Sequence, residues 1–369
     1  MSDLYIGLMS GTSLDGVDGV LADFSPGHSL VKAHASAPLP DALRAELLAL
    51  NASGPDELHR AALAANALMR VYAAVVAELL SRTAVPSATV RAIGAHGQTV
   101  RHRPQEFDGT GYTLQLCQPA LLAELTGIDV VADFRSRDIA AGGQGAPLAP
   151  FFHRSLFSRQ GETVGVLNVG GISNITLLRP GGSMLGFDCG PGNALMDAWC
   201  EQHTGQPYDD GGAWAAGGTV LAPLLQAMLA EPYFSKPPPK STGRDLFNRE
   251  WLGRQLRAAG NAAPADVQAT LAELTARACA GDVLRHEPGL AHLVVCGGGA
   301  LNGHLMRRLA ALLPGAKVAS SADWGLPPLQ VEAAAFAWLA RKAVNREELE
   351  LQSTTGARGA RVLGCIYPA

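Results

Sequence analysis

Three glycine-rich turns, each bounded by apolar runs, constrain what this chain can fold into more than any other feature. The first runs Gly7-Leu8-Met9-Ser10-Gly11-Thr12-Ser13-Leu14-Asp15-Gly16-Val17-Asp18. The second runs Leu167-Asn168-Val169-Gly170-Gly171-Ile172-Ser173-Asn174-Ile175-Thr176, and the third Val294-Val295-Cys296-Gly297-Gly298-Gly299-Ala300-Leu301-Asn302. Glycine permits close backbone approach and dihedrals that other residues avoid, so exposed N–H groups in such turns suit a phosphate. One such turn alone is more often a plain hairpin. The common nucleotide motifs are absent: no G-x-x-x-x-G-K-[ST] occurs, and no G-x-G-x-x-G follows the first apolar run. The third turn opens a helix, whose N-terminal N–H groups and dipole favour an anion.

With 369 residues the chain is too long for one compact core, since single cores stop growing at roughly 250–300 residues. Two α/β lobes are expected, parted at the stretch Ala140-Ala141-Gly142-Gly143-Gln144-Gly145-Ala146-Pro147. Residues 1–138 would form lobe one, rejoined by about 346–369, and residues 139–345 lobe two. The first lobe opens with a hairpin, Leu4–Ser10 and Val17–Phe24, and a strand near Leu30–Ala37. Helices follow at Asp41–Leu50 and from Pro55 to about Arg82, the second repeating Leu58, Ala61, Ala62, Ala65, Leu68 and Val71 at helical spacing. Strands are expected near Thr89–Ala95, Thr113–Leu116 and Asp129–Ala132.

Beyond the boundary the pattern starts again, with strands at Thr163–Val169, Asn174–Leu178 and Ser183–Phe187. Helices then cover about Asn193–Gln202, Val220–Leu229, Asn248–Ala258 and Ala265–Arg285. A strand His292–Val295, a helix from Leu301, a strand near Lys317–Ala319 and a helix Pro328–Ala343 complete the lobe. The proline-rich Ser235–Arg244 reads as an exposed functional loop.

Composition narrows the function. Apolar residues make up 47% and charged residues 17%, a globular balance. A net charge of −4 argues against a protein that binds nucleic acid by neutralising phosphates, although Lys236, Lys240 and Arg244 form a candidate basic patch. Six scattered cysteines without a C-x-x-C pair suggest buried thiols in a reducing compartment. The most apolar stretches, such as Val71–Leu80 and Ala333–Ala340, fall short of the ~20 residues that cross a bilayer. The start Met1-Ser2-Asp3 lacks the basic region of a secretory signal. A cytoplasmic protein without membrane or nucleic-acid partners is expected; a homodimer stays open.

The candidate catalytic residue is Asp188 in Gly186-Phe187-Asp188-Cys189-Gly190-Pro191-Gly192-Asn193. It ends an apolar strand before a glycine turn, where a carboxylate projects from a rigid element. Phosphoryl transfer needs a base that orients the attacking oxygen. The commoner use of Asp at such a spot is to cap the following helix, a task Asn193 could share.

The order and separation of the three turns resemble the actin-like ATPase and sugar kinase superfamily (sugar kinases, Hsp70, actin), which implies an α/β, two-lobed fold with an interdomain ATP cleft. The candidate nucleotide contacts are then Gly11, Thr12, Ser13, Leu14, Asp15, Gly16, Val17 and Asp18 in the first hairpin, Asn168, Gly170 and Gly171 in the second, and Gly297, Gly298, Gly299 and Asn302 in the adenosine turn. Four motifs make the resemblance narrower: Gly11–Asp18, Gly94-Ala95-His96-Gly97-Gln98-Thr99, Asn168–Asn174 and Phe187–Asn193. With Leu329–Phe336 and the closing Gly356–Gly364, they resemble the anhydro-N-acetylmuramic acid kinase family along the whole chain.

The resemblance implies that water opens the 1,6-anhydro bridge of the sugar while ATP phosphorylates the freed O6, in recycling of bacterial cell-wall fragments. Asp188 would activate the water. His96 and Gln98 would bind sugar or phosphate, Glu332 a sugar hydroxyl or the waters of the metal, and Arg135 and Arg137 the lactyl carboxylate, which the guanidinium fork matches. Asp15 or Asp18 would orient hydrated Mg²⁺ accompanying ATP; no protein metal cage is expected. The plainer alternatives are a structural histidine at His96, a rim residue at Glu332, and surface ion pairs of Arg135 or Arg137 with Asp133 or Asp138. Two competing functions remain: a nucleotide-gated sugar sensor or chaperone of the same fold, and a kinase for another small sugar.

Overall fold

β1 (Leu4–Ser10) and β2 (Gly16–Asp23) pair antiparallel, from Leu4 opposite Asp23 to Ser10 opposite Val17. The computed structural model describes residues 3–11, 14–25, 30–243, 246–257, 260 and 262–369, so Thr12, Ser13 and Arg244 lie outside the described residues. β3 (Val31–Pro38) continues the sheet beside β2, and α1 (Asp41–Ala49) and α2 (Glu57–Thr83) follow. α2 is apolar and long enough to cross a bilayer, with a mean hydropathy of 1.5 in its best window. Its Leu68, Tyr72, Val75 and Leu79 are fully buried in the core of this sheet, the ordinary use of a one-sided apolar stripe. The stripe reaches Gly19 of β2, where an added Cβ would come within 2.5 Å of Val75 Cγ1.

β4 (Val90–Ala95) joins β1 in parallel; β5 (Gln98–Pro104) and β6 (Gly111–Leu116) form a separate antiparallel pair. Of that pair the sequence suggests only the second strand, because β5 carries Arg101, His102 and Arg103 in a row and so lacks an apolar alternation. α3 (Pro119–Thr126) leads to β7 (Val130–Ala132), parallel to β4, and α4 (Ser136–Ala140) and α5 (Ala149–Phe157) follow.

The pattern then repeats. β8 (Val164–Val169), β9 (Ile172–Leu178) and β10 (Met184–Pro191) form an antiparallel meander. After α6 (Ala194–Thr204), α7 (Ala213–Ala216), α8 (Ala222–Leu229), α9 (Arg249–Leu256) and α10 (Pro264–His286), β11 (His292–Cys296) joins β8 in parallel. α11 (Gly303–Leu312) and β12 (Lys317–Ser320), parallel to β11, complete this sheet. α10 is buried on every side from Val267 to Ala276, its Gln268, Thr270, Glu273 and Thr275 included.

The chain ends with α12 (Val331–Val344), the short pair β13 (Leu349–Glu350) and β14 (Ala360–Arg361), and β15 (Cys365–Tyr367), antiparallel to β7. The two sheets therefore run β15-β7-β4-β1-β2-β3 and β10-β9-β8-β11-β12. Leaving β15 aside, each has its first three strands antiparallel, with two parallel strands added beside the first. This doubled order is that of the two-lobed actin-like ATPase and sugar kinase fold.

The compact units are Met1–Phe152 with Gln330–Ala369, and His153–Leu329. Both divisions differ from the expected 138/139 and 345/346. The glycine-rich stretch belongs to the first unit, because Gln144 N–H donates to Thr355 O and Arg358 N–H to Ala141 O, each at 2.9 Å. α12 belongs there as well, because its backbone lies directly on β1 and β4. A Cβ on Gly7 would sit 1.9 Å from Ala333 O, and one on Gly94 2.1 Å from Phe336 O.

These two glycines yield a stability prediction. Gly7→Ala or Gly94→Ala is expected to cost about 3 kcal/mol or more, since the obstacle is backbone that cannot rotate away. Gly281→Ala in the interior of α10, where nothing lies within 4 Å of the new methyl, is expected to gain roughly 0.5–1 kcal/mol. Urea midpoints followed by circular dichroism would check both signs.

Candidate active site

The second hairpin, the end of β10 and the third glycine turn are tied together through backbone. Asn193 N–H donates to Gly170 O at 2.8 Å and Gly192 N–H to Gly171 O at 2.9 Å. Asn193 Nδ2 donates to Val169 O at 3.0 Å. Gly297, at φ 75°, packs so closely that a Cβ would lie 2.4 Å from Asn168 Oδ1, and one on Gly299 would lie 2.3 Å from Val169 Cγ1. The glycines of the third turn are thus required by packing against the second hairpin. Asn168 Oδ1 is buried there with no hydrogen-bond partner among the described residues. Asn302 caps α11, accepting from Leu305 N–H at 3.0 Å, so its side-chain oxygen already has a structural task.

β10 carries Asp188 opposite Asn174, one position before a bulge that lets Gly190 pair with Ser173. The intervening Cys189 is buried against Cys279, and burial holds its thiol well above the ordinary range, so it is no nucleophile. Gly190, at φ 145°, leaves room for the ring of Phe234, whose Cε1 would be 2.6 Å from a Cβ. Asp188 is thereby framed by the segment after α8. Its N–H donates to Lys240 O at 3.1 Å. Its Oδ2 accepts from Thr242 N–H at 3.0 Å, and its carbonyl accepts from Tyr233 OH at 2.7 Å. The helix-capping alternative does not describe it: the Asp188 carboxylate takes an N–H of a distant loop, and neither it nor Asn193 gives α6 a side-chain cap. Burial pushes the Asp188 carboxyl up to about 6, while the Thr242 N–H and the charge of Lys240 pull it back in part.

Lys240 departs from its expected place in a basic surface patch. Its ammonium is buried against Asp282 of α10, at 2.9 Å from Oδ2. Asp188 stands out in the sequence, but Thr242, Tyr233 and Asp282 around it do not; only the proline-rich loop that carries Thr242 is set apart by its composition.

In the first unit, Gly11 accepts from Leu14 N–H at 3.2 Å, with Leu14 at φ 60° and Gly16 pressed within 2.6 Å of Ala37 O had it a Cβ. Val17 is buried and Asp15 exposed, and Asp18 pairs with His34 Nε2 at 3.1 Å. Among the described residues no group of three or more His, Cys, Asp or Glu is arranged to hold a metal.

His96, Gln98, Arg135 and Glu332 belong to this same unit. Arg135 donates to His96 Nε2 from Nε at 3.2 Å and lies 2.9 Å from it through Nη2, and its Nη1 donates to Gly145 O at 2.8 Å. Burial first, then the Arg135 charge, hold the imidazole neutral, pushed down to about 3, against weaker opposite pulls from the Gly97 and Ser10 backbone. Burial also lowers Arg135 to about 10, and Glu332 and Asp138 counter this. His96 Nδ1 and Gln98 Oε1 are buried without a hydrogen-bond partner among the described residues, an uncommon state for such atoms. Arg137 is exposed and makes none of these contacts. Asp138 braces the group: Oδ2 accepts from Gly145 N–H at 2.6 Å and Oδ1 from Thr355 Oγ1 at 2.5 Å. Two cavities along α2, of about 620 and 510 Å³, contain none of these residues.

A doubled sheet with a glycine hairpin in each half, and a shielded carboxylate at the bulge within β10, define a phosphotransferase of the actin-like ATPase and sugar kinase class. The profile described as anhydro-N-acetylmuramic acid kinase matches residues 3–369, and the chain belongs to that family. Relatives of that name are 67% identical in Variovorax paradoxus, over 100% of this chain and 99% of the relative, and 63% identical in Albidiferax ferrireducens, over 100% of both. Another in Cupriavidus metallidurans is 59% identical over 100% of this chain and 98% of its own length. Among solved structures, an activator of a 2-hydroxyisocaproyl-CoA dehydratase from Clostridium difficile aligns over 94% of this chain and 96% of its own at 11% identity and a TM-score of 0.48. The fold assignment rests on strand order, not on that likeness.

The raised carboxyl of Asp188 has a signed consequence. Its folded value exceeds the unfolded one, so ionisation costs stability above about pH 6 and nothing once both states are protonated, below about pH 4. Asp188→Asn is therefore expected to be about 1–2 kcal/mol more stable than the parent at pH 8, after discounting for partial exposure. The gain should fade toward pH 4, as denaturation curves across that range would reveal.

Proposed function

We infer that this protein converts 1,6-anhydro-N-acetylmuramic acid, water and ATP into N-acetylmuramic acid 6-phosphate and ADP, as a step in peptidoglycan recycling. The observation that carries the chemistry is Asp188: a carboxylate that its burial pushes up to about 6, held in place by the Thr242 N–H. A base poised there is ionised often enough to act and basic enough to take a proton. Asp188 removes a proton from water as its oxygen attacks the anomeric carbon. The bond from that carbon to O6 breaks, and its electron pair stays on O6. O6 then attacks the γ-phosphorus, the bond to the ADP oxygen breaks with its electrons, and Asp188 returns its proton to solvent. Because the departing oxygen of the first step is the nucleophile of the second, no separate carboxylic acid is needed to protonate it; a retaining glycosidase needs a second carboxyl for that purpose.

Gly11–Asp18, Gly170 and Gly171, and Gly297–Gly299 with Asn302 are assigned to the nucleotide, with Asn168 as a side-chain contact; the N–H groups of Leu14 and Gly297 are already donated to Gly11 O and Pro328 O, so the other groups of those turns face the phosphates in this reading. The residues fit a Mg²⁺ ion carried by the nucleotide's own phosphates and water, which would neutralise charge on those phosphates. Asp15 is the acid available to orient it, since Asp18 is engaged by His34. For the sugar we assign His96, Gln98, Arg135 and Glu332. The unpartnered Nδ1 and Oε1 of the first two offer a donor and an acceptor for hydroxyl or amide groups, and Arg135 offers its charge to the lactyl carboxylate. Arg137 has the weaker claim, being exposed. A cytoplasmic location is part of the same proposal.

Incubating the protein with ATP, Mg²⁺ and the anhydro sugar, with products followed by ³¹P NMR, tests the assignment. The parent is expected to form sugar phosphate. Asp188→Asn should lose at least about 10³-fold in kcat, at the strong end of what general-base loss costs, with KM for ATP little changed. A sensor would show nucleotide binding and no sugar phosphate from either protein.

A further inference from the structure

Lys240 does nothing in the mechanism above, yet it is the best-buried cation of the described ion pairs. Its side chain is 1% exposed and that of its partner Asp282 3%. Two buried charges are costly to desolvate, and a close-packed apolar pair would often serve stability as well or better. The surroundings show what the pair does. Lys240 O accepts from Asp188 N–H, and two residues on Thr242 N–H donates to the Asp188 carboxylate. Between them Ser241 is exposed, so the segment is pinned at Lys240 and not by burial of its neighbour. The ammonium lies 5.4 Å from the ring centre of Phe187 and 5.1 Å from that of Tyr233, the residues beside and bonded to Asp188. Asp282 also accepts from Arg285 Nη1 at 2.9 Å, and the same Nη1 donates to Phe234 O at 3.1 Å. One carboxylate on α10 thus anchors both ends of the segment wrapped over Asp188.

We propose that Lys240, anchored on Asp282, is a positioning residue: it fixes the Thr242 N–H on the Asp188 carboxylate and brings a positive charge to bear on it. The proposal rests on Asp188 being the base. Among the described residues, the other charged or titratable groups near Asp188 are Cys189 next to it, Tyr233 from the wrapping segment, and Cys279, Asp282, Arg285 and His286 from α10, with the ring of His286 5.2 Å from that of Phe187. β9 contributes the uncharged Asn174 opposite. Of these, Lys240 is the group whose charge acts on Asp188.

The test is the pH dependence of kcat/KM for sugar phosphorylation in the full chain. In Lys240→Met the acid limb should move up by about one pH unit, because the cation that favours the ionised carboxylate is gone. At neutral pH kcat should fall about tenfold or more, and KM for ATP should stay within about twofold. Lys240→Arg keeps the charge and should return the limb to the parental position. Should Lys240→Met not fold, the double variant Lys240→Met/Asp282→Leu replaces the pair by apolar groups and carries the same expectation. An acid limb unmoved in the folded charge-free variant, or moved equally in Lys240→Arg, overturns the proposal. Asp188→Asn measured alongside separates the two claims. If it stays active, the assignment of the base has failed. If it is dead while the limb is unmoved, only the role of Lys240 has.

Discussion

Backbone packed directly on backbone is the constraint on which the rest of this structure depends. α12 lies on β1 and β4 at Gly7 and Gly94, where the nearest atoms are carbonyl oxygens of Ala333 and Phe336. A helix normally stands about 8–10 Å from its neighbour because side chains hold it off; two glycines remove that layer. The close seat places Phe336 against His96, with ring centres 4.7 Å apart, and sets Glu332 in the field of Arg135. The second unit uses the same device on a smaller scale, where Gly192, Gly297 and Gly299 let three turns share the space of one. Glycine therefore brings elements together in both units.

Within that frame the protein places charges where water is scarce, and each is steered by a neighbour. Burial, with the Arg135 charge beside it, keeps His96 neutral, so the ring acts as a fixed donor and acceptor. Asp138, itself braced by Thr355 from the end of the chain, holds Gly145 beneath Arg135. At Asp188 burial raises the carboxyl while one N–H and one cation restrain the rise. The segment from 233 to 242 meets Asp188 at its N–H, its carbonyl and its carboxylate, and Asp282 holds that segment through Lys240.

Much of this is legible in the sequence for local reasons. The hairpin at Leu4–Asp23, the long α2 and the start of β10 follow from apolar period and turn chemistry within a few residues of each other, whereas β10 runs on past Asp188 to Pro191 through a bulge that the glycines there hid. The doubled sheet was legible because its glycine turns recur in order. What escaped depends on distant partners. β5 looks too charged for a strand, and its partner is β6, not the main sheet. The stretch 140–147 looks like a linker but is held by Thr355 and Arg358, over two hundred residues away. Lys240 looks like a surface cation until α10 supplies Asp282.

The central claim is that one carboxylate activates water to open the anhydro bridge while the released oxygen takes the phosphoryl group. Mass spectrometry of products formed in ¹⁸O-water, quenched before the anomeric hydroxyl exchanges with solvent, tests it most directly. The account predicts sugar phosphate with one heavy oxygen at the anomeric carbon and none in its phosphoryl group or in ADP. Sugar phosphate that keeps its anhydro bridge, or heavy oxygen appearing in inorganic phosphate in place of the sugar, would contradict it.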